Sequence, residues 1–155
     1  MVWMKRAIRT KMNLVVDANI IIRLVVGRRA PIDAAEAMMR GVRLSATLAQ
    51  LEESAKVLVR EFDFTNDQAI QELAGVTAAM KLLDHDVYAA FEQAARCRLH
   101  RKAQPDWPVL AAAMATDAGV WSDDRDFFGV GVPVWSSLTI AYADASSAGQ
   151  AALRE

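Results

Sequence analysis

The sequence contains few of the residues that disulfide chemistry, phosphate loops or nucleophile elbows require. Its single cysteine, Cys97, cannot form an internal disulfide, which is typical of a protein in a reducing compartment. There is no Gly-rich phosphate-binding loop and no Gly-x-Ser-x-Gly segment. The two histidines, His85 and His100, lie in polar surroundings, and neither is expected to be catalytic. The sequence therefore provides no basis for these common classes of active site.

Long apolar runs are also missing. The basic residues before Met12 are not followed by the apolar segment of a signal peptide, and Asp17 and Arg23 interrupt the next apolar stretch. We therefore expect a cytoplasmic protein without a membrane span. Residues 1–11 are predicted to be a flexible basic extension, with Met12 as an alternative start. Residues 12–155 are predicted to be one domain, because 54% of the chain is hydrophobic and only seven Gly and four Pro occur.

The segment from Asn13 to Asn19 is the most informative stretch. Three apolar residues, two of them β-branched, lead directly into Asp17, and a second apolar run follows. A short run that is apolar on both faces is typical of a buried parallel strand. Asp17 is then either the N-cap of the next helix or a carboxylate at the strand ends, where open α/β sheets bind ligands. On its own, the residue favours neither interpretation.

Strand-like and helix-like segments alternate along the chain. This pattern predicts a three-layer α/β/α sandwich with a central, mostly parallel sheet of four to five strands. We expect strands over residues 13–16, 42–45, 81–84 and 120–122, and an edge strand within residues 130–135 because of Pro133. We expect helices over residues 33–40, 47–60, 65–74, 76–80, 88–99 and 138–143, and one that begins near Trp107.

Acidic residues recur at the predicted ends of strands and starts of helices. Asp106 precedes a helix whose start is fixed by Pro108, and Asp124 and Asp126 follow the strand over residues 120–122. Glu52 or Glu53, in the helix over residues 47–60, can reach the same edge of the sheet. Each acid taken singly is more often a cap or a surface charge. Several carboxylates in one crevice require a cation, and their oxygen ligands suit Mg²⁺ or Mn²⁺.

Charge is divided unevenly between the two parts of the chain. Residues 1–60 hold 11 Lys and Arg against 5 Asp and Glu, whereas residues 61–155 hold 7 against 14. The basic part is compatible with a face that binds a polyanion, and equally with a solvated surface. If the face binds a polyanion, Arg23, Arg28 and Arg29 are the candidates for contacts with its backbone.

Four segments in this order resemble a PIN domain. They are Val15-Val16-Asp17-Ala18-Asn19, the Glu52-Glu53 pair, the segment from Asp106 to Ala113, and the segment from Trp121 to Gly129. The resemblance covers nearly the whole chain after Met12. It implies a parallel sheet between helices and a metal-dependent endoribonuclease that cleaves single-stranded RNA. It also implies that the protein is the toxin of a toxin–antitoxin pair, with a cognate antitoxin and a homodimer as partners.

The resemblance also assigns roles to individual residues. The catalytic acids carry over as Asp17, Glu53, Asp106 and Asp124, with Glu52 as the alternative to Glu53. Asp17, Asp106, Asp124 and Asp126 would bind Mg²⁺ or Mn²⁺, and Asn19 and Ser122 would orient these ligands. The chain departs from the family where Ala18 and Ser122 replace threonines that are common there.

Two other classes of function compete with this interpretation. A non-catalytic RNA-binding or partner-binding module of the same fold would bind RNA without cleaving it, although the complete set of acids argues against a decayed site. A phosphotransfer receiver also gathers acids at strand ends, but it needs a lysine late in the chain. No lysine follows Lys102, which argues against this class.

Overall fold

The computed structural model describes residues 12–27 and 41–143. The described strands are β1 (Met12–Val16), β2 (Val42–Thr47), β3 (Lys81–Leu83), β4 (Gly119–Trp121) and β5 (Val134–Trp135). The described α-helices are α1 (Ala18–Val26), α2 (Leu48–Glu61), α3 (Asn66–Thr77), α4 (His85–Tyr88), α5 (Glu92–Arg98) and α6 (Trp107–Ala115). Short 3₁₀ helices cover Ala89–Phe91, Arg101–Asp106, Arg125–Phe127 and Ile140–Tyr142. None of the helices in these ranges is long and apolar enough to cross a membrane.

The five strands form one parallel sheet in the order β3-β2-β1-β4-β5. The predicted α/β sandwich is confirmed. The strand β1 is central because it pairs with β2 on one side and β4 on the other. Beside it, Gly119 lies so close to the next strand that a Cβ atom there would be 2.9 Å from the carbonyl oxygen of Pro133. Pro133 itself precedes β5, which is the edge strand, as predicted.

Two apolar cores lie on opposite faces of the sheet, because successive side chains of a strand point to opposite sides. Leu14 and Val16 of β1 belong to a core shared with α1, α2 and α3. Val15 belongs to the other core, which is shared with α5 and α6. The fully buried residues of α6, from Val109 to Ala113, are mostly alanines, which allow the helix to pack closely on the sheet. This packing holds the N-terminus of α6 near the carboxyl ends of the strands.

Several helix predictions are confirmed at their starts. Thr47 caps α2 by accepting a hydrogen bond from the backbone N–H of Gln50. Thr65 and Gln68 form the predicted capping box of α3. Helix α6 begins at Trp107, with Pro108 in its first turn.

Three helix predictions were wrong. Gly75 does not end α3, which continues to Thr77 because Leu73 and Thr77 bury their side chains on the same face. The segment over residues 88–99 is not one helix, since a 3₁₀ turn separates α4 from α5 after the buried Tyr88. Residues 138–143 form only a 3₁₀ turn, because Leu138 and Tyr142 are exposed. The helix predicted over residues 33–40 and the extension over residues 1–11 lie outside the described residues.

Candidate metal centre

Asp17 lies at the carboxyl end of the central strand and is almost completely buried. Its backbone N–H donates to the carbonyl of Trp121 at 3.0 Å, which continues the pairing of β1 with β4. One carboxylate oxygen accepts from the N–H of Ala18 at 2.8 Å, so Asp17 caps α1. The other accepts from the hydroxyl of Ser122 at 2.6 Å. Asp17 is therefore a cap and, at the same time, a carboxylate at the strand ends.

Ser122 connects three segments of this edge. Its fully buried hydroxyl donates to Asp17, accepts from the backbone N–H of Asp124 at 3.0 Å, and accepts from the side-chain amide of Asn19 at 3.5 Å. A hydroxyl has one donor and two acceptor positions, and all are used here. Because Ser122 and Asp17 are distant in sequence, this residue fixes the end of β4 against the start of α1.

Three partly buried carboxylates form a cluster beside this edge. Asp106, Asp124 and Asp126 each offer an oxygen, and these oxygens all lie within 4.8 Å of one another. Asp124 accepts from the N–H of Asp126 at 2.9 Å, and Asp126 lies 2.6 Å from Nε2 of His100. Asp106 precedes α6 at the N-cap position, but its side chain makes no capping hydrogen bond. Among the described residues, nothing donates a hydrogen bond to its carboxyl group.

Burial and mutual repulsion change the acidity of two of these groups. Burial raises the pKa of Asp17 from 3.8 to about 6, although hydrogen bonds from Ser122 and Ala18 lower it. Burial, together with the charges of Asp17 and Asp124, raises the pKa of Asp106 to about 6. A carboxylate resists ionisation where other carboxylates crowd it. The edge of the sheet is thus a place where a bound cation would relieve repulsion.

The two adjacent glutamates of α2 point to different surroundings. The charge of Glu53 raises the pKa of both Asp17 and Asp106. The charge of Glu52 instead raises the pKa of Tyr88. Both glutamates are exposed, and neither belongs to the three-carboxylate cluster. Glu53 therefore faces the acidic edge.

The predicted RNA-contacting arginines are only partly within the described structure. Arg23 lies on α1 and forms an ion pair with Asp123. Asp123 also accepts from the backbone N–H and the hydroxyl of Ser137. This contact joins α1 to the segment after β5. Arg28 and Arg29 lie outside the described residues.

Sequence reasoning missed the contact between His100 and the acidic cluster. His100 and Asp126 are 26 residues apart and belong to no common local pattern. The ion pair of Arg23 with Asp123 was also missed, because 100 residues separate the two side chains. No local signal in the sequence identifies either pair.

The donor set fits a hard divalent cation. All three groups of the cluster are carboxylates. Mg²⁺ and Mn²⁺ prefer such oxygen ligands, whereas softer metals prefer sulfur or nitrogen ligands. The carboxyl group of Asp106 has no hydrogen-bond donor among the described residues, so its oxygens are available for coordination. Asp17 and Glu53 add further negative charge nearby.

Comparisons with known proteins give one family and several similar folds. A family model described as PIN domain matches residues 15–144. The structure is similar to VapBC2 from Rickettsia felis bound to a promoter DNA fragment, with a TM-score of 0.65 and 13% identity over 81% of this chain and 98% of that chain. It is similar to DNA-bound VapBC from Salmonella typhimurium, with a TM-score of 0.64 and 18% identity over 81% of this chain and 98% of that chain. It is also similar to a toxin–antitoxin complex from Klebsiella pneumoniae, with a TM-score of 0.60 and 20% identity over 80% of this chain and 97% of that chain. No curated protein matches the sequence significantly.

Proposed function

Because the chain belongs to the PIN domain family, we propose that it is a metal-dependent endoribonuclease that cleaves single-stranded RNA. The observation that carries this proposal is the cluster of Asp106, Asp124 and Asp126 at the carboxyl edge of the sheet. The raised pKa values of Asp17 and Asp106 support it, since they reflect burial of both carboxyl groups and repulsion from neighbouring acids. The proposed catalytic residues are Asp17, Glu53, Asp106 and Asp124.

The residues of this edge would hold Mg²⁺ or Mn²⁺ through Asp106, Asp124 and Asp126, with Asp17 on the buried side. A divalent cation in such a site activates water and stabilises the charge that develops on a phosphodiester. Ser122 and Asn19 hold the Asp17 side of the site in place through the hydrogen bonds that converge on the Ser122 hydroxyl. Such supporting residues keep ligands in position.

The RNA backbone would be held by basic residues in α1 and in the sequence just after it. Arg23 is partly exposed and borders the same edge, although Asp123 neutralises part of its charge. We propose that Arg23, Arg28 and Arg29 contact phosphates. Binding that depends on such contacts weakens steeply as the salt concentration rises.

Cleavage of a panel of single-stranded RNAs tests the activity. We expect wild-type protein to cleave RNA in the presence of Mg²⁺ or Mn²⁺, and we expect cleavage to stop when the metal is chelated. Asp106→Asn should lose more than roughly 100-fold in rate, since even residues that only support metal ligands contribute about 10–100-fold. Asp67→Asn is the matched control, because Asp67 is exposed in the first turn of α3. RNA binding without metal-dependent cleavage would identify a non-catalytic module instead.

We further propose that the protein is a toxin with an antitoxin partner. Two observations support this: the similar structures are VapBC or toxin–antitoxin complexes, and an apolar groove of about 1170 Å³ lies beside the site. The groove is lined by Ile22, Val26 and Phe62, and by the exposed side chains of Phe128 and Leu138. We propose the antitoxin as its occupant.

Co-expression with the product of any small reading frame found next to this gene tests this partner. Co-purification that Leu138→Glu abolishes would support the groove as the binding surface. Co-purification that this variant does not affect would contradict it. Homodimerisation stays a prediction, which light scattering of the isolated protein measures.

A further inference from the structure

Among the described residues, His100 is the only side chain outside the acidic cluster that hydrogen-bonds a carboxylate of the cluster. Its Nε2 atom lies 2.6 Å from Oδ1 of Asp126. An ionised carboxylate only accepts hydrogen bonds, so the N–H of the imidazole is the donor. We propose that His100 is a positioning residue, which holds the carboxylate of Asp126 in the orientation that binds a divalent cation together with Asp106 and Asp124. This inference rests on the metal centre proposed above.

The other two carboxylates of the cluster are fixed by their own segments. Asp124 accepts from the N–H of Asp126, and its backbone is held by Ser122. Asp106 is placed by the start of α6, between Pro105 and Pro108. The side chain of Asp126 has a hydrogen-bond partner only in His100 among the residues that the structure describes. Its orientation therefore depends on a residue from a different segment.

The backbone of His100 is well placed for this role. Its neighbours Leu99 and Ala103 are buried in the core beneath α6, and its carbonyl accepts from the N–H of Ala103 at 2.9 Å. The same two segments meet at a second point, where Arg98 donates to the carbonyl of Val130 at 3.2 Å. Two contacts thus join the end of α5 to the segment that carries Asp126. The contact of Arg98 with Val130 therefore keeps His100 close to Asp126.

The hydrogen bond between His100 and Asp126 is too exposed to contribute much to the stability of the fold. The side chains of His100 and Asp126 are 57% and 35% exposed, and exposed ion pairs contribute little to folding. Hydrogen bonds that orient metal ligands have a larger effect, since their loss typically weakens metal binding about 10–100-fold. The expected effect of His100 is therefore on metal affinity, with the fold unchanged.

Mn²⁺ binding to the full chain without RNA tests the proposal. The electron paramagnetic resonance signal of free Mn²⁺ gives the dissociation constant. We expect His100→Leu to weaken binding by about 10-fold or more. His100→Gln should restore affinity close to wild type, because its amide places a donor near the position of Nε2. His85→Leu is the matched control, since His85 is also exposed but contacts Tyr88 and Trp107. Thermal melting in EDTA checks that each variant is folded.

A double-mutant cycle shows whether His100 acts through Asp126. In an Asp126→Asn background, His100→Leu should cause no further loss of affinity. An equal further loss there, unchanged binding by His100→Leu alone, or tighter binding by that variant would overturn the proposal. A ¹⁴N coupling to Mn²⁺ from a directly bound imidazole would also overturn it. If wild-type protein fails to bind Mn²⁺ at all, the proposed metal centre itself is wrong, which distinguishes the two failures.

Discussion

Asp106 has an unfavourable electrostatic environment in the metal-free protein. Its carboxyl group is half-buried, accepts no hydrogen bond from the described residues, and lies close to other acids. The pKa is 3.8 in the unfolded chain and about 6 in the folded protein. Between these pH values the folded state binds more protons than the unfolded state, so stability is lost as the pH rises. This loss is complete above about pH 6.

Replacing this carboxyl group should stabilise the metal-free protein at neutral pH. The rise in pKa corresponds to at most roughly 3 kcal/mol, and solvent screening of a half-buried group reduces this to about 1 kcal/mol. We expect Asp106→Asn to raise the free energy of unfolding by about that amount at pH 7.5 in EDTA, and to have little effect below pH 4. Urea denaturation at both pH values measures it, with Asp67→Asn as the control. Equal effects at the two pH values would contradict this account.

Individual site residues could be predicted to different degrees. Asp17, Asp106 and Asp124 each mark the end of a strand or the start of a helix, so a local pattern identifies their type of position. The roles of these residues stay predictions, and so does the choice of Glu53. The contact of His100 with Asp126 could not be predicted, because it depends on how the end of α5 packs against a distant loop.

The effect of a glycine substitution on stability depends on the position of the glycine in its helix, as Gly27 and Gly75 show. Gly27 ends α1 with a φ of +66°, a left-handed conformation that disfavours any residue with a Cβ atom. Gly75 is an exposed residue within α3, where glycine is a poor helix former. A Cβ atom meets nothing within 4 Å at either position. The backbone conformation therefore determines the result in both cases.

We expect Gly27→Ala and Gly75→Ala to have opposite effects on stability. Gly27→Ala should destabilise the protein by about 1 kcal/mol through backbone strain. Gly75→Ala should stabilise it by about 0.5–1 kcal/mol, since alanine loses less conformational freedom on folding. Denaturant unfolding of the two variants measures both values. Destabilisation by Gly75→Ala would show that α3 does not continue through this position in solution.

Helix starts were easier to predict than helix continuations. The capping box at Thr65 and the proline at position 108 are local signals, and the structure places helix starts at both. The break after Tyr88 has no such signal. It accompanies the burial of the Tyr88 side chain against Trp107, a tertiary contact that overrides helix propensity. The helix predicted over residues 138–143 is absent because the side chain of Leu138 is exposed and does not pack against a core.

Across the whole molecule, the parallel sheet gathers the acids at one edge. Every described strand runs in the same direction, so their carboxyl ends and the following loops meet there. The alternation of strands and helices was therefore sufficient to predict the sandwich and the edge of the sheet at which these acids lie. It was not sufficient to predict which carboxylates would lie within 4.8 Å of one another.

Metal binding should stabilise the whole domain. A ligand at about 100 times its dissociation constant adds roughly 2.7 kcal/mol to the free energy of unfolding. For a chain of this length, this raises the melting temperature by about 5–10 °C. We expect Mn²⁺ to produce such a shift in wild-type protein, measured by calorimetry against NaCl of equal ionic strength. An equal shift in Asp106→Asn would place the bound ion outside the cluster.

The pairing of β1 with β4 also has a consequence for protein synthesis. The ribosome makes the chain from the N-terminus, and Ser122 follows Asp17 by 105 residues. Until β4 has left the ribosome, the central strand lacks its neighbour on that side, and Asp17 lacks Ser122. An incomplete nascent chain therefore has no assembled acidic edge. If the chain is the ribonuclease proposed above, a nascent chain that lacks β4 would have no assembled site with which to cleave RNA.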